Sequence, residues 1–289
     1  MKLALGTAQF GLPYGIANNN GKVSTIEMSK ILQLAKKSGI HCIDTAISYG
    51  DCHDRLGQIS VHDFNIITKL PKLSSNISNI HIWVSEQINQ SLASLKVKSI
   101  YGILLHNPQD IFLSRGRELL SSLNHIKDTG LVKKIGVSIY HPDELVALYN
   151  EADFDIVQSP LNPLDQRLIE SGWLDRLSSK NVEVHTRSVF LQGLLLMKQE
   201  LIPIKFKKWT SALNDWHNFL IKNNVNPLNA CLKFSTSFKG VSKVIIGVNT
   251  ENQLREILFE YQTSPSTLKF PNFNLGDDLL INPSKWNLI

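Results

Sequence analysis

Short apolar runs alternate along the chain with longer stretches whose apolar residues recur at helical spacing. Eight runs read as buried strands: 3–7, 41–44, 65–68, 101–105, 134–138, 156–158, 182–186 and 243–246. Each carries few charges and is followed by a turn or cap signal. Near-continuous apolar strands separated by amphipathic helices predict a parallel sheet covered on its outer face. Eight of them predict an α/β fold of the closed (β/α)8 TIM-barrel type.

The intervening stretches carry helix punctuation. Ser24 followed by Glu27 matches a capping box, Ile26, Ile31, Leu34 and Ala35 suggest one apolar face, and Gly39 stands where that helix would end. Val84, Ile88, Leu92 and Leu95 form a similar stripe, Pro142 with Asp143 opens another helix, and Thr250 is placed to cap residues 251–261. Segments 198–226 and 263–289 exceed the minimal repeat and are expected to be extra rim helices and a C-terminal tail. With no low-complexity linker, residues 1–289 are expected to form one barrel domain.

Composition narrows the function classes. The 289 residues are 43% hydrophobic and 19% charged, which suits a folded, soluble protein. Thirty Lys and Arg against 25 Asp and Glu give a net charge of +5, spread without a basic run. That argues against a nucleic-acid arm or a polybasic membrane tag. No stretch approaches the roughly 20 apolar residues of a membrane span. Three cysteines, Cys42, Cys52 and Cys231, are an odd number that suggests a reducing, cytoplasmic setting. His41, Cys42, Cys52 and His53 lack metal-site spacing, so no metal is expected. Neither a Walker loop nor a G-x-S-x-G elbow is present. Oligomeric state has no signature in the sequence.

In a barrel of this type the active site lies at the C-terminal ends of the strands. There the chain carries Asp44-Thr45-Ala46 with Tyr49-Gly50, Thr68-Lys69, and Leu105-His106-Asn107. Singly, each has an ordinary reading: Asp44 as a turn cap, Tyr49 as a rim aromatic, Lys69 as a solvated lysine, His106 as a core imidazole. Together, in this order and with Leu5-Gly6-Thr7, Gly136-Val137-Ser138, Gln158 with Asn162, and Gly247, the chain resembles the aldo-keto reductases over nearly its whole length.

The resemblance implies an NAD(P)H-dependent carbonyl reductase or alcohol dehydrogenase. In it Tyr49 is the general acid, Lys69 its electrostatic partner, Asp44 the carboxylate holding Lys69, and His106 the group that orients the substrate oxygen. A phenol with a pKa of about 10 donates slowly at neutral pH, and a nearby ammonium is expected to lower that value.

For the cofactor, the resemblance implies contacts from Gly6, Thr7, Ser138, Gln158, Arg187, Ser188, Phe190, Gln192, Gly247, Val248, Asn249 and Gln253. Ile139 replaces the Asn that family members pair with the serine, and Arg187 stands where an aromatic often stacks on nicotinamide. NADPH is the cofactor implied, with NADH possible, although Gly247 and Gln253 replace the cations that many NADPH-using members place there. Arg255 is a nearby candidate for that clamp.

The opening Gly6-Thr7-Ala8-Gln9-Phe10-Gly11 and Tyr14-Gly15-Ile16-Ala17-Asn18 are similar to a bacterial branch associated with sugar and surface-polysaccharide metabolism. This implies a small polar carbonyl, such as a sugar derivative, as substrate. Two other readings stay open: a regulatory subunit that binds the cofactor, and a barrel aldolase or isomerase using Lys69 as a Schiff base. Among the tryptophans, Trp286 alone lies in the C-terminal tail, from which a side chain could line a substrate pocket.

Overall fold

The computed structural model describes residues 1–18, 20–262, 268–273 and 276–289. Eight parallel strands close into a barrel in chain order. They are β1 (Leu3–Gly6), β2 (Cys42–Asp44), β3 (Asn65–Leu70), β4 (Ile100–Leu105), β5 (Val132–Ser138), β6 (Ile156–Pro160), β7 (Glu183–Arg187) and β8 (Val241–Gly247). The circuit closes where β1 pairs with β8, from Leu3 opposite Val244 to Gly6 opposite Gly247. Outside lie α1 (Thr25–Lys37), α2 (Cys52–Ile59), α3 (Ile80–Leu95), α4 (Gly116–Asp128), α5 (Glu144–Glu151), α6 (Trp173–Ser179), α7 (Thr210–Lys222), α8 (Pro227–Ser237) and α9 (Glu251–Gln262). Helix α7 and the 3₁₀ turns before it are the expected extra material. Among the described residues no helix is long and apolar enough to cross a membrane.

The eight expected strands all form, with shifted ends. β3 runs on to Leu70 because Lys69 and Leu70 pair with Leu104 and Leu105. Helix α1 starts as expected, with the Ser24 hydroxyl accepting from the Glu27 N–H at 3.2 Å. Its buried face is Met28, Ile31, Leu32 and Ala35. Ile26 does not share it and is 73% exposed, because five residues at 3.6 per turn put it about 140° from Ile31. Pro142 sits in the turn ahead of α5 and not inside it.

Alternation along the strands layers the barrel interior. Ala4, Cys42, Ile67, Leu104, Ile156 and Ile245 form one apolar layer. Successive side chains in a strand point to opposite faces, so the residue two places later returns to the interior one step nearer the C-terminal end. Those residues are Gly6, Asp44, Lys69, His106, Gln158 and Gly247. Toward the other end, Glu183 accepts from Tyr101 Oη at 2.6 Å and from Lys134 Nζ, and lies 3.1 Å from His185 Nε2. Burial pushes the Glu183 carboxyl up, but these partners outweigh it and hold the carboxyl down at about 2.

The tail packs against the β7–β8 insertion. Trp286 is 3% exposed, meets Phe206 edge-on at 4.9 Å and donates from Nε1 to Leu280 O. It therefore does not line the substrate pocket, as a tail residue could, because Phe206 and Leu280 enclose its ring. Residues 263–267 and 274–275 of the tail lie outside the described residues.

Two interior glycines yield contrasting expectations. A Cβ at Gly136 would lie 2.2 Å from the Ile156 carbonyl oxygen, whereas one at Gly102 would meet the tips of Ile156 and Ile67 at 2.7 and 2.8 Å. Side-chain tips can move and a ladder carbonyl cannot. Gly102→Ala should cost about 1–3 kcal/mol, the usual range for overpacking, and Gly136→Ala distinctly more. Denaturant melts of the two variants test the order; a Gly136→Ala protein as stable as Gly102→Ala would contradict the packing described.

Candidate active site

The C-terminal mouth of the barrel brings the four candidate catalytic residues together. Lys69 is 1% exposed and donates from Nζ to Asp44 Oδ2 at 2.7 Å and to Thr45 O at 2.9 Å. The other Asp44 oxygen accepts from Gln158 Nε2 at 2.7 Å. Tyr49 stands above this pair, with the ammonium 5.4 Å from its ring centroid. Its hydroxyl bonds to no side chain among the described residues. His106 meets the Tyr49 ring edge-on at 6.1 Å, and its Nδ1 lies 3.3 Å from Ser48 Oγ.

The electrostatics differ from the expectation in sign. Crowding by protein around Tyr49, and then the Asp44 carboxylate, raise its phenol well above the ordinary value. Asp44 already neutralises Lys69, which leaves the ammonium little to spend on the phenol, while Arg187 pulls in the lowering direction. The phenol is thus held protonated. Burial lowers Lys69 itself, against the raising effect of Asp44. Burial, with Lys69 and Arg187 nearby, brings His106 down to about 4, so its imidazole is neutral at pH 7.

A cleft of about 320 Å³ opens over Tyr49 and Asp44 and reaches α9. Gly6, Thr7, Gln158, Arg187, Ser188, Phe190, Gln192, Gly247, Val248, Asn249 and Gln253 all line it. Ser138 does not; it is buried behind and donates to Gln158 Oε1 at 3.4 Å. Lys69 and His106 also lie outside the lining. Gln158 therefore has both amide atoms engaged by protein. The Arg187 guanidinium lies 4.4 Å over the Tyr140 ring and donates to Ile139 O at 3.0 Å. Asn162 is not a lining residue either: it ties down the loop after β7 by donating to Ser188 O at 3.0 Å. That loop carries left-handed backbone at Ser188, Leu191 and Gln192, the kind of strain that collects where a loop must take one shape.

Sequence reasoning missed part of the wall. Gln9, Tyr14, Gly15, Ala17 and Asn18 line the cleft from the β1 loop, which meets the β7 loop closely enough that a Cβ on Gly193 would lie 2.6 Å from that of Ala17. Glu256 also lines it, and its place three residues after Gln253 on one helix face was a usable signal. The lining of the cleft suits a nicotinamide dinucleotide in its chemistry: polar groups at both ends, apolar walls from Val189, Phe190 and Ile257, and a buried Asn249 Oδ1 with no protein partner. Among the described residues no cluster could hold a metal ion. His41 is exposed while Cys42 and Cys52 are buried and unpaired.

The model of the aldo/keto reductase family matches residues 2–268. Among solved structures, the holo form of aldo-keto reductase AKR11C1 from Bacillus halodurans superposes with a TM-score of 0.73 at 17% identity, covering 92% of this chain and 88% of that one. The glycerol dehydrogenase AKR11B4 from Gluconobacter oxydans gives 0.68 at 20% identity, with the same coverage of 92% and 88%. At these identities the structures speak for the fold alone. A search of curated proteins gives no significant match.

The site makes stability depend on pH in a defined window. His53, 3.1 Å from Thr68 Oγ1, is lowered by burial to about 4, as is His106. Both values lie below the ordinary 6.5, so between pH 6.5 and 4 the unfolded chain binds protons that the folded chain does not. Stability present above pH 6.5 is lost as pH falls toward 4. The melting temperature should drop from pH 7 to pH 5, and His53→Gln should remove roughly half of that slope, one of two similar titrations. Calorimetry decides; a flat profile would mean the imidazoles are not buried neutral.

Proposed function

The chain belongs to the aldo/keto reductase family of NAD(P)-dependent oxidoreductases, and from that membership we propose that it reduces a small polar carbonyl, a sugar or sugar derivative, with Tyr49 as the proton donor. The observation that carries this reading is the Tyr49 side chain at the cleft, its hydroxyl without a side-chain partner among the described residues, backed by the buried Asp44–Lys69 pair and flanked by His106. When bound, the nicotinamide supplies the hydride.

The work of the protein is then to hold a proton ready and to hold the oxyanion that develops. Tyr49 Oη has no competing side-chain partner, so it is free to donate to a carbonyl oxygen. Neutral His106 offers a ring N–H beside it to orient that oxygen. Asp44 and Lys69 act by positioning: their pairing fixes the ammonium beneath the tyrosine ring. Gly6, Thr7, Ser188, Phe190, Gln192, Val248 and Asn249 would hold the dinucleotide along the wall, with Arg187 and Gln158 near the nicotinamide and Ser138 fixing Gln158 from behind.

A Schiff-base role for Lys69 fits poorly, because its amine is buried and tied by two hydrogen bonds. No observation favours the regulatory-subunit reading. The expectation of NADPH gains no support from the cleft wall at the α9 end, because Arg255 and Lys30 there pair with Glu251 and Glu27 and neither lines the cleft. We read the setting as cytoplasmic, supported by three buried, unpaired cysteines. Neither a nucleic-acid nor a membrane partner is part of the reading.

Tyr49→Phe should lower kcat for reduction of a carbonyl panel by about 10²–10⁴-fold, the usual worth of a general acid, with dinucleotide Kd nearly unchanged. Turnover close to that of the parent would remove Tyr49 from the acid role. Lys69→Met should also lose most activity and melt at lower temperature, because it leaves the Asp44 carboxylate buried without its cation. A variant with the parent's melting temperature and rate would show that the pair does no positioning.

A further inference from the structure

We propose that the α9 end of the cleft selects NADH over NADPH, with Glu27, reaching across from α1, as the residue that sets the choice. The proposal rests on the nicotinamide-dependent reading of the cleft. A dinucleotide with its nicotinamide at Tyr49 brings its adenosine ribose to the opposite end of the lining, where Asn249, Gln253 and Glu256 stand. The two cofactors differ there in one group, a hydroxyl in NADH and a phosphate of about −1.5 to −2 charge in NADPH.

A helix N-terminus ordinarily attracts such an anion through its unpaired N–H groups and its dipole. At α9 the protein's own acceptors have taken two of the first-turn N–H groups. The Glu251 N–H donates to Glu27 Oε1 at 2.6 Å, and the Gln253 N–H donates to Thr250 Oγ1 at 3.2 Å. Just upstream, the Asn249 N–H donates to Gln253 Oε1 at 2.7 Å. Glu27 thus puts a carboxylate where a phosphate would otherwise be stabilised, and Glu256 adds a second on the cleft wall.

Arg255 pairs with Glu251, and Lys30 lies 3.6 Å from the second Glu27 oxygen on an exposed side chain. Among the described residues Arg187 is the one Lys or Arg lining the cleft, and it stacks on Tyr140 at the nicotinamide end. The acceptors suit a hydroxyl instead. A 2'-hydroxyl can donate to the Glu256 carboxylate on the cleft wall. A phosphate dianion has no proton to donate.

The test is direct binding, read as quenching of the protein's own fluorescence on titration with NADH and with NADPH, at low and high salt. NADH should bind at least about tenfold more tightly at low salt. Salt should narrow the gap by screening repulsion of the phosphate, whereas a cationic clamp would make salt weaken NADPH. Glu27→Gln removes the charge and keeps an acceptor for the Glu251 N–H, so it should improve NADPH affinity about three- to tenfold more than NADH affinity. Gln253→Arg, on the cleft wall, should shift the preference the same way. NADPH binding as tightly as NADH would overturn the proposal, and equal effects of Glu27→Gln on both nucleotides would remove Glu27 from the role. Binding of neither nucleotide would instead overturn the functional reading, and this inference with it.

Discussion

The ion pair between Asp44 and Lys69 is the constraint around which the barrel mouth is arranged. An ammonium that is 1% exposed is tolerated only with its partner at 2.7 Å and a second acceptor at Thr45, since an uncompensated buried charge costs several kcal/mol. The pair joins β2 to β3, and Gln158 joins β6 to the same carboxylate. Three strands therefore have to be in register for one proton donor to be supported. The apolar layer of Ala4, Cys42, Ile67, Leu104, Ile156 and Ile245 sits directly beneath. It keeps water from solvating the pair from below and leaves the cleft as the open side.

Much of this was legible because a barrel of this type keeps its active site at the C-terminal ends of its strands. Once the apolar runs marked those ends, Asp44, Lys69 and His106 could be singled out as the polar residues there, whereas Gln158 was picked out by the family resemblance. Strand ends were less legible. Lys69 reads as a loop lysine, and only the ladder partner Leu104 shows it to be inside β3. The sign of the effect on Tyr49 was also out of reach, because it depends on how completely Asp44 neutralises Lys69 and on how closely protein crowds the phenol, neither of which has a sequence pattern.

Contacts between distant segments were least legible. Glu27 matched the third position of a capping box, a local motif, yet its carboxylate is spent on the N–H of Glu251, 224 residues away. The packing of α1 beside α9 decides this, and no periodicity announces it. Trp286 misled for the same reason: an aromatic in a tail looks free to cover a pocket until Phe206 and Leu280 are seen to enclose it. The β1 loop carried its information as a family signature, while its physical part, lying against Gly193 of the β7 loop, emerges only from the fold.

The burial of the three cysteines has a consequence for handling the molecule. Cys42 lies in the apolar layer between Asp44 and Glu183, and burial, with those carboxylates, pushes its thiol up to about 12. Burial raises Cys52 and Cys231 as well. Reaction with maleimides, iodoacetamide or peroxide proceeds through the thiolate and needs access, and here both are withheld. Toward such reagents the folded chain behaves as a cysteine-free protein. A single cysteine introduced on an exposed loop would be labelled alone, so spectroscopic probes can be attached without first replacing the native thiols.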